Sequence, residues 1–325
     1  MMQVCFLLPE GILKPSSLFS AIEIFEKANE YCISKRHKSY YDIKMAGVKV
    51  SQNILNCVFD LGTVSINEFS KPDLIIIPGL GDKNNFSIAK NKTLLEWLIK
   101  QYNNGAELAS LCTGSFLLAA TGLLKNKECS THWKAEESFI KMYPDVKLRI
   151  DKVITDNKGI YTAGGANSCL NLILYLVEKY NGRDTALYCA KILGIDIDRN
   201  TQSQFILFEG QKNHDDEEIK KVQHFIEKNI DEKITVEFLS SKFLISKRSL
   251  VRRFKKATNN PPIEYIQRIK IEAAKRNLEK NRKTINEIMY SVGYNDTKAF
   301  RNIFKKITGL SPLEYRNKYN KDFLN

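Results

Sequence analysis

Residues 235–265 read TVEFLSSKFLISKRSLVRRFKKATNNPPIEY, and residues 285–315 read INEIMYSVGYNDTKAFRNIFKKITGLSPLEY. Laid over each other at an offset of 50 without a gap, they set Glu237 on Glu287, Ser241 on Ser291, Ser246 on Asp296, Leu250 on Phe300 and Phe254 on Phe304. The match continues with Lys255 and Lys256 on Lys305 and Lys306, Thr258 on Thr308, and Pro262, Glu264 and Tyr265 on Pro312, Glu314 and Tyr315. A repeat of this length predicts one supersecondary unit used twice. In each copy a short helix packs through Phe238 and Leu239, or through Ile288 and Met289, and a tight turn follows, with Gly293 in the second copy. Ser246 or Asp296 then stands where an N-cap belongs. The next helix buries Leu250 and Phe254, or Phe300 and Phe304, at i,i+4 and ends at Asn259 or Gly309, residue types suited to a left-handed C-terminal cap. Two helices joined by a short turn, twice over, predict helix-turn-helix units at about 235–258 and 285–308.

The charge is distributed in keeping with that reading. Residues 217–325 hold 25 Lys and Arg against 13 Asp and Glu, a net +12 of the chain's +13. An excess confined to one third of the chain predicts a polyanionic partner for that third. In a helix-turn-helix unit the second helix enters the major groove of double-stranded DNA. The faces opposite the buried residues offer Lys247, Arg248, Val251 and Arg252 in the first copy and Thr297, Lys298, Arg301 and Asn302 in the second. Arg suits a guanine edge, Asn an adenine edge, and Thr or Val a thymine methyl. Lys255 and Lys305, each followed by a second lysine, lie further along and suit phosphates.

Before this region the pattern changes. Residues 1 to about 195 alternate apolar runs such as QVCFLLP, YDIKMAGV, PDLIIIPG and AELASLC with amphipathic stretches such as SLFSAIEIFEKANEY, TLLEWLIKQYNNG and SCLNLILYLVEKYNG. TGSFLLAATGLL reads as a further helix, and VKLRIDKVITDNKGIYTAGG as a hairpin turning at Asp156–Gly159. Such alternation predicts an α/β sandwich about a mainly parallel sheet, with ligands at the carboxyl ends of the strands. Residues 196–216 are polar around one apolar stretch and read as a linker or docking arm. No window approaches the roughly 18 apolar residues of a membrane span. The N-terminus lacks the basic region of a signal peptide. Seven scattered cysteines without CxxC spacing suit reduced thiols. These features predict a cytoplasmic protein with no metal and no cofactor.

The stretch AKRNLEKNRKTINEIMYSVGYNDTKAFRNIFKKITGLSPLEYR resembles the signature of AraC-family transcription regulators, and the resemblance runs from Glu217 to Tyr319. It implies two helix-turn-helix subdomains within 217–325, joined by a long helix at about 263–279 and entering successive major grooves. NNPP stands where members of that family usually carry a Gly-x-Ser-Pro turn. The first half, through PDLIIIPGLG, LASLCTGSFLLAATGLLKNKECSTHW and YTAGGANSCLNLILYLVEKYNG, resembles the ThiJ/PfpI domain, a flavodoxin-like, class I glutamine-amidotransferase-like fold. GlxA-type regulators of the AraC family combine the two in this order. The resemblance implies a domain over 1–195 that senses a small-molecule effector, forms a homodimer, or both.

Enzymes of the ThiJ/PfpI family use a cysteine on a strand-turn-helix elbow, a nearby histidine and often a carboxylate from the loop after the first strand. Cys112 fills the first place, and a cysteine at a helix N-terminus is thiolate-prone. His132 would be its base, or else a structural histidine capping the WKAEESFIKMY helix. Backbone N–H groups near Gly79–Gly81 and Thr113 would bind an oxyanion. The acid is missing: its position falls at about Lys14–Ser16, and Glu10 comes several residues early. A DNA-binding regulator with a pocket about Cys112 and His132, and no catalytic residues, is the expected reading. The competing one is a cysteine-dependent amidase or hydrolase, or a glyoxalase-like enzyme, using those two residues.

Overall fold

The computed structural model describes residues 1–35, 38–48, 63–69, 71–81, 88–165, 167–197, 201–280 and 282–320. Cys57 lies outside them, as do residues 198–200 of the expected linker. The chain divides into two compact units, Met1–Gln202 and Ser203–Asn325.

In the first unit the elements follow as β1 (Met2–Leu8), α1 (Pro15–Ser34), β2 (Tyr41–Gly47), β3 (Thr63–Ser65), β4 (Leu74–Ile77), α2 (Lys92–Asn103), β5 (Glu107–Ser110) and α3 (Ser115–Ala120). Then come β6 (Glu128–Cys129), α4 (Glu136–Met142), β7 (Lys147–Leu148), β8 (Ile154–Asp156), β9 (Ile160–Ala163), α5 (Ser168–Asn181) and α6 (Arg183–Ile192). Among the described residues seven strands form one sheet in the order β3-β2-β1-β4-β5-β9-β8. All neighbours are parallel except β8 and β9, the hairpin whose turn passes through Lys158 and Gly159 at positive φ. β6 and β7 make a separate parallel pair.

The central strands are apolar throughout because both sheet faces are covered. Val4 and Phe6 of β1 and Leu74 and Ile76 of β4 join a core with α1, α5 and α6. Their alternate neighbours, Cys5, Leu7, Ile75 and Ile77, join a second core with α2, α3 and α4. The α/β sandwich expected from the sequence is thus a mainly parallel sheet covered on both faces. The helix read from TGSFLLAATGLL is shorter than its pattern: α3 stops at Ala120, and Gly122 takes φ +79.

The second unit is all helical: α7 (Glu217–Lys228), α8 (Val236–Lys242), α9 (Lys247–Thr258), α10 (Pro262–Lys280), α11 (Ile285–Ser291), α12 (Thr297–Thr308) and α13 (Pro312–Tyr319). It has two cores. Leu239, Leu250 and Phe254 meet Ile219, Val222 and Ile226 of α7 in one. Ile288, Met289, Phe300 and Phe304 meet Tyr315 of α13 in the other. α10 serves both, with Tyr265 and Ile266 in the first and Ile271, Ala274 and Leu278 in the second.

The repeat survives in hydrogen bonds that no motif shows. Thr258 and Thr308 each donate a hydroxyl proton to the carbonyl four residues back, Phe254 or Phe304, at 2.8 Å. Tyr265 donates to Glu227 of α7 at 2.8 Å, and Tyr315 donates to Glu279 of α10 at 2.6 Å. α10 therefore stands to the second copy as α7 stands to the first.

The gap-free alignment needs correction before the turn. Ile245 N–H donates to Ser240 O at 3.1 Å, and Tyr294 N–H to Met289 O at 3.1 Å, an offset of 49. The left-handed turn residues Leu244 (φ +53) and Gly293 (φ +70) pair at the same offset. The second turn is one residue longer, and the offset of 50 holds only from Ser246 and Asp296 onward. The identities at Glu237/Glu287 and Ser241/Ser291 are not structural equivalences. Phe238 is likewise not a core residue: it is 41% exposed and packs its ring on Phe225 at 5.8 Å.

The stretch 196–216, read as a linker, contributes to both units. Gln202 is buried in the first. Phe208 joins the first helical core, and Asp216 caps α7. Among the described residues no helix is long and apolar enough to cross a membrane.

Candidate functional site

Strand order reverses between β1 and β4, so the loops after them part and leave a crevice at their carboxyl ends. The loop after β1 folds back on the loop after β4. Gly81 N–H donates to Ile12 O at 2.5 Å, Leu13 bridges Leu80, and Lys14 N–H donates to Gly79 O at 2.8 Å. Lys14 is thereby delivered to the end of β5, where its Nζ lies 3.5 Å from Cys112 Sγ. The position expected to hold an acid holds a cation on the cysteine.

Cys112 sits in a 3-10 turn, Cys112–Gly114, with φ +54 and no exposed surface. A non-glycine residue there is strained and needs its surroundings to hold it. Ser115 Oγ and Thr131 Oγ1 lie 2.7 Å apart, each 3.1 Å from the Cys112 carbonyl oxygen. A Cβ on Gly114 would come within 2.6 Å of the Ile77 and Pro78 oxygens, so this turn presses directly on the end of β4.

Of the backbone donors expected for an oxyanion, the N–H groups of Gly79, Leu80 and Gly81 are engaged elsewhere. Gly79 N–H donates to Ser17 Oγ at 3.2 Å, and Gly81 N–H is spent on Ile12. The Thr113 hydroxyl clasps Leu80, accepting its N–H at 2.9 Å and donating to its carbonyl at 2.7 Å. His132 is held as a cap: its Nδ1 accepts the Lys134 N–H at 3.1 Å. Its proton therefore resides on Nε2, which makes it a donor and not the base that the sequence suggested. Burial, with Lys14 and Lys134 nearby, pushes its pKa down to about 4. Among the described residues no hydrogen bond joins His132 to Cys112. Beside Thr113, Leu80, Gly81, Phe116, Ala135 and Met142 line a mostly apolar cavity of about 170 Å3.

Gln202 was not anticipated. Its Nε2 donates to Ile150 O at 2.7 Å and Thr131 O at 3.1 Å, and its Oε1 accepts Gly165 N–H at 2.7 Å. A Cβ on Gly165 would lie 3.2 Å from His132 Cδ2, so Gln202 is seated next to the histidine.

In the second unit, α9 and α12 are built alike. Ser246 Oγ accepts Ser249 N–H at 3.3 Å, and Asp296 Oδ1 accepts the N–H groups of Lys298 and Ala299. Asn259 (φ +56) and Gly309 (φ +79) close the helices in the left-handed region. Lys247, Arg248, Val251, Arg252 and Lys255 are all exposed and, with Lys256, share one open face of α9. Lys298, Arg301, Asn302 and Lys305 are exposed on α12, with Thr297 half-buried at its first turn. Lys247 also pairs with Glu237 of α8 at 3.0 Å. Arg253, on the flank of α9, makes two hydrogen bonds to Asp216, which hold that carboxyl below its usual range.

Comparison with known proteins accords with both halves. Residues 20–179 match the DJ-1/PfpI family and residues 239–318 a helix-turn-helix domain family. The chain is 23% identical over 302 residues to the HTH-type transcriptional regulator GbdR of Pseudomonas aeruginosa, covering 92% of this chain and 80% of that protein. It is 24% identical over 223 residues to the HTH-type transcriptional regulator GlxA of Rhizobium meliloti, covering 66% of each. A crystal structure of an AraC family transcriptional regulator from Pseudomonas putida shares the fold, with TM-score 0.50 and 20% identity over 59% of this chain and all of that one. A DJ-1/PfpI domain followed by an AraC-type helix-turn-helix domain makes this chain a DNA-binding transcriptional regulator of the AraC family.

Proposed function

We propose that the second unit reads a specific sequence of double-stranded DNA through α9 and α12, while the first unit binds a small-molecule effector and pairs with a second copy of itself in the cytoplasm. The observation that carries the DNA reading is the pair of matched helices. Each has a side-chain N-cap, a left-handed C-cap, a buried aliphatic or aromatic pair and an exposed basic face. Arg248, Arg252, Lys298, Arg301 and Asn302 would contact base edges, with Val251 and Thr297 beside thymine methyls. Lys247, Lys255 and Lys305 would neutralise phosphates. Genome-wide mapping of bound DNA tests this: a shared motif with two major-groove half-sites supports it, and uniform occupancy refutes it.

For the first unit the geometry favours binding over turnover. His132 has its Nδ1 engaged, and Lys14 stands in the place of the orienting acid. An effector seated near Cys112 would bias the linker through Gln202, shifting the population of DNA-competent states. Cys112→Ser separates the readings: loss of hydrolytic turnover with intact DNA binding would favour the enzyme.

A further inference from the structure

The crevice about Cys112 offers hydrogen-bond donors and positive charge. The Lys14 ammonium meets the Cys112 sulfur, and among the described residues no carboxylate pairs with it. His132 Nε2 carries a proton, because Nδ1 accepts the Lys134 N–H, and it has no hydrogen-bond partner among the described residues. The charges that this imidazole faces are those of Lys14 and Lys134, both positive. The segments that carry these two donors are bonded to, or continuous with, the walls of the apolar cavity of about 170 Å3. Its Gly81 is bonded to Ile12 on the loop that carries Lys14, its Thr113 follows Cys112, and its Ala135 N–H is bonded to the His132 carbonyl.

We propose that this crevice takes a small carboxylic acid, its carboxylate held between the Lys14 ammonium and the His132 Nε2–H and its apolar end in the adjoining cavity. The proposal rests on the reading that the first unit binds an effector, and it names that effector's chemical class. A carboxylate gains a charge-assisted hydrogen bond from Lys14 and a second bond from His132. An amine of the same skeleton brings a cation against two lysines. A primary amide keeps the shape and loses the charge.

The test uses the full-length protein and calorimetric titration with acetate, isobutyrate and benzoate, beside isobutyramide and isobutylamine. At least one acid should bind, with the amide and the amine about tenfold weaker or more than isobutyrate. Lys14→Met should weaken the acid by about tenfold or more, and Lys14→Arg should retain most of the affinity. The proposal falls if no acid binds, if the amide or amine binds as well as the acid, or if folded Lys14→Met binds it unchanged. The acid, amide and amine comparison on the wild-type chain decides the matter even if Lys14→Met does not fold. DNA affinity measured alongside separates the two claims. Lys14-dependent acid binding that leaves DNA affinity untouched upholds the carboxylate site and removes the effector reading. A DNA response to isobutylamine without acid binding upholds the effector reading and overturns the carboxylate site.

Discussion

Gln202 Oε1 accepts the Gly165 N–H at 2.7 Å, across 37 residues of chain. With its Nε2 on the Ile150 and Thr131 carbonyls, this 1% exposed side chain closes the first unit beside His132. Gln202→Ala leaves the Gly165 N–H without its acceptor and should cost the first unit roughly 1–3 kcal/mol. Gln202→Glu sets an oxygen against two carbonyls and should cost more than Gln202→Ala. Both tryptophans, Trp97 and Trp133, belong to this unit, so tryptophan fluorescence in urea reports it alone. Unchanged midpoints for both variants would remove Gln202 as a structural tie.

Lys275 and Glu272 form a buried pair at 2.8 Å on α10. Lys275 Nζ also donates to Ile206 O at 2.6 Å, while Glu272 accepts the Phe208 N–H at 3.3 Å. Lys275→Met strands a buried carboxylate, at a cost of about 3–5 kcal/mol to the second unit. Lys275→Met with Glu272→Leu should recover part of that loss. Thermal melting followed by far-ultraviolet circular dichroism measures both, and equal stability for single and double variants would show that the two residues are uncoupled.

Leu244 is left-handed and 93% exposed, whereas Gly293 holds the equivalent turn in a tight space. Leu244→Gly should stabilise the second unit by a few tenths to about 1 kcal/mol, relief of left-handed strain exceeding the entropy that glycine brings to the unfolded chain. Gly293→Ala should destabilise it by more, because the new Cβ would lie 2.5 Å from Asp231 O and Lys270 Nζ. Melting temperatures that move in the opposite directions would contradict the turn geometry.

Base reading and phosphate contact predict different losses. Arg252→Ala or Arg301→Ala should cost ~1–3 kcal/mol on the bound sequence and relax preference at one position. Lys255→Ala should weaken specific and random duplexes alike and flatten the salt dependence by about one phosphate contact. Equal losses on both duplexes for the two arginine variants would show that they do not read bases.

His132 has a pKa pushed from 6.5 to about 4 in the folded chain. Between those values the unfolded chain takes up a proton that the folded unit refuses, so stability contributed by His132 is complete above 6.5 and declines as pH falls toward 4. His132→Asn keeps an acceptor for the Lys134 N–H and removes the titration. Urea midpoints of the two proteins should therefore draw together between pH 6.5 and 4, and a constant gap would exclude the effect.

The helix-turn-helix units, the caps at Ser246, Asp296, Asn259 and Gly309, and the doubly buried strands were legible in the sequence. Each depends on hydrogen bonds or side-chain periods spanning a few residues, and residue type alone writes those. The slip in the repeat was hidden because Glu237 and Ser241 find identical residues 50 positions on, although the turn hydrogen bonds pair at 49. The left-handed Leu244 was hidden because its side chain meets solvent, where the strain leaves no compositional mark.

Residue types and local periodicity by themselves determined an α/β domain and a doubled helix-turn-helix unit, while a pocket with Cys112 and His132 but no acid was what the resemblance to the ThiJ/PfpI domain implied. The tertiary structure alone decided what that pocket presents. Lys14 reaches Cys112 across 98 residues because the loops after β1 and β4 pair at the point where strand order reverses. His132 becomes a donor because the turn at Lys134 takes its other nitrogen. Sequence spacing carries no information on contacts of that range, since it is chain topology that brings such residues together.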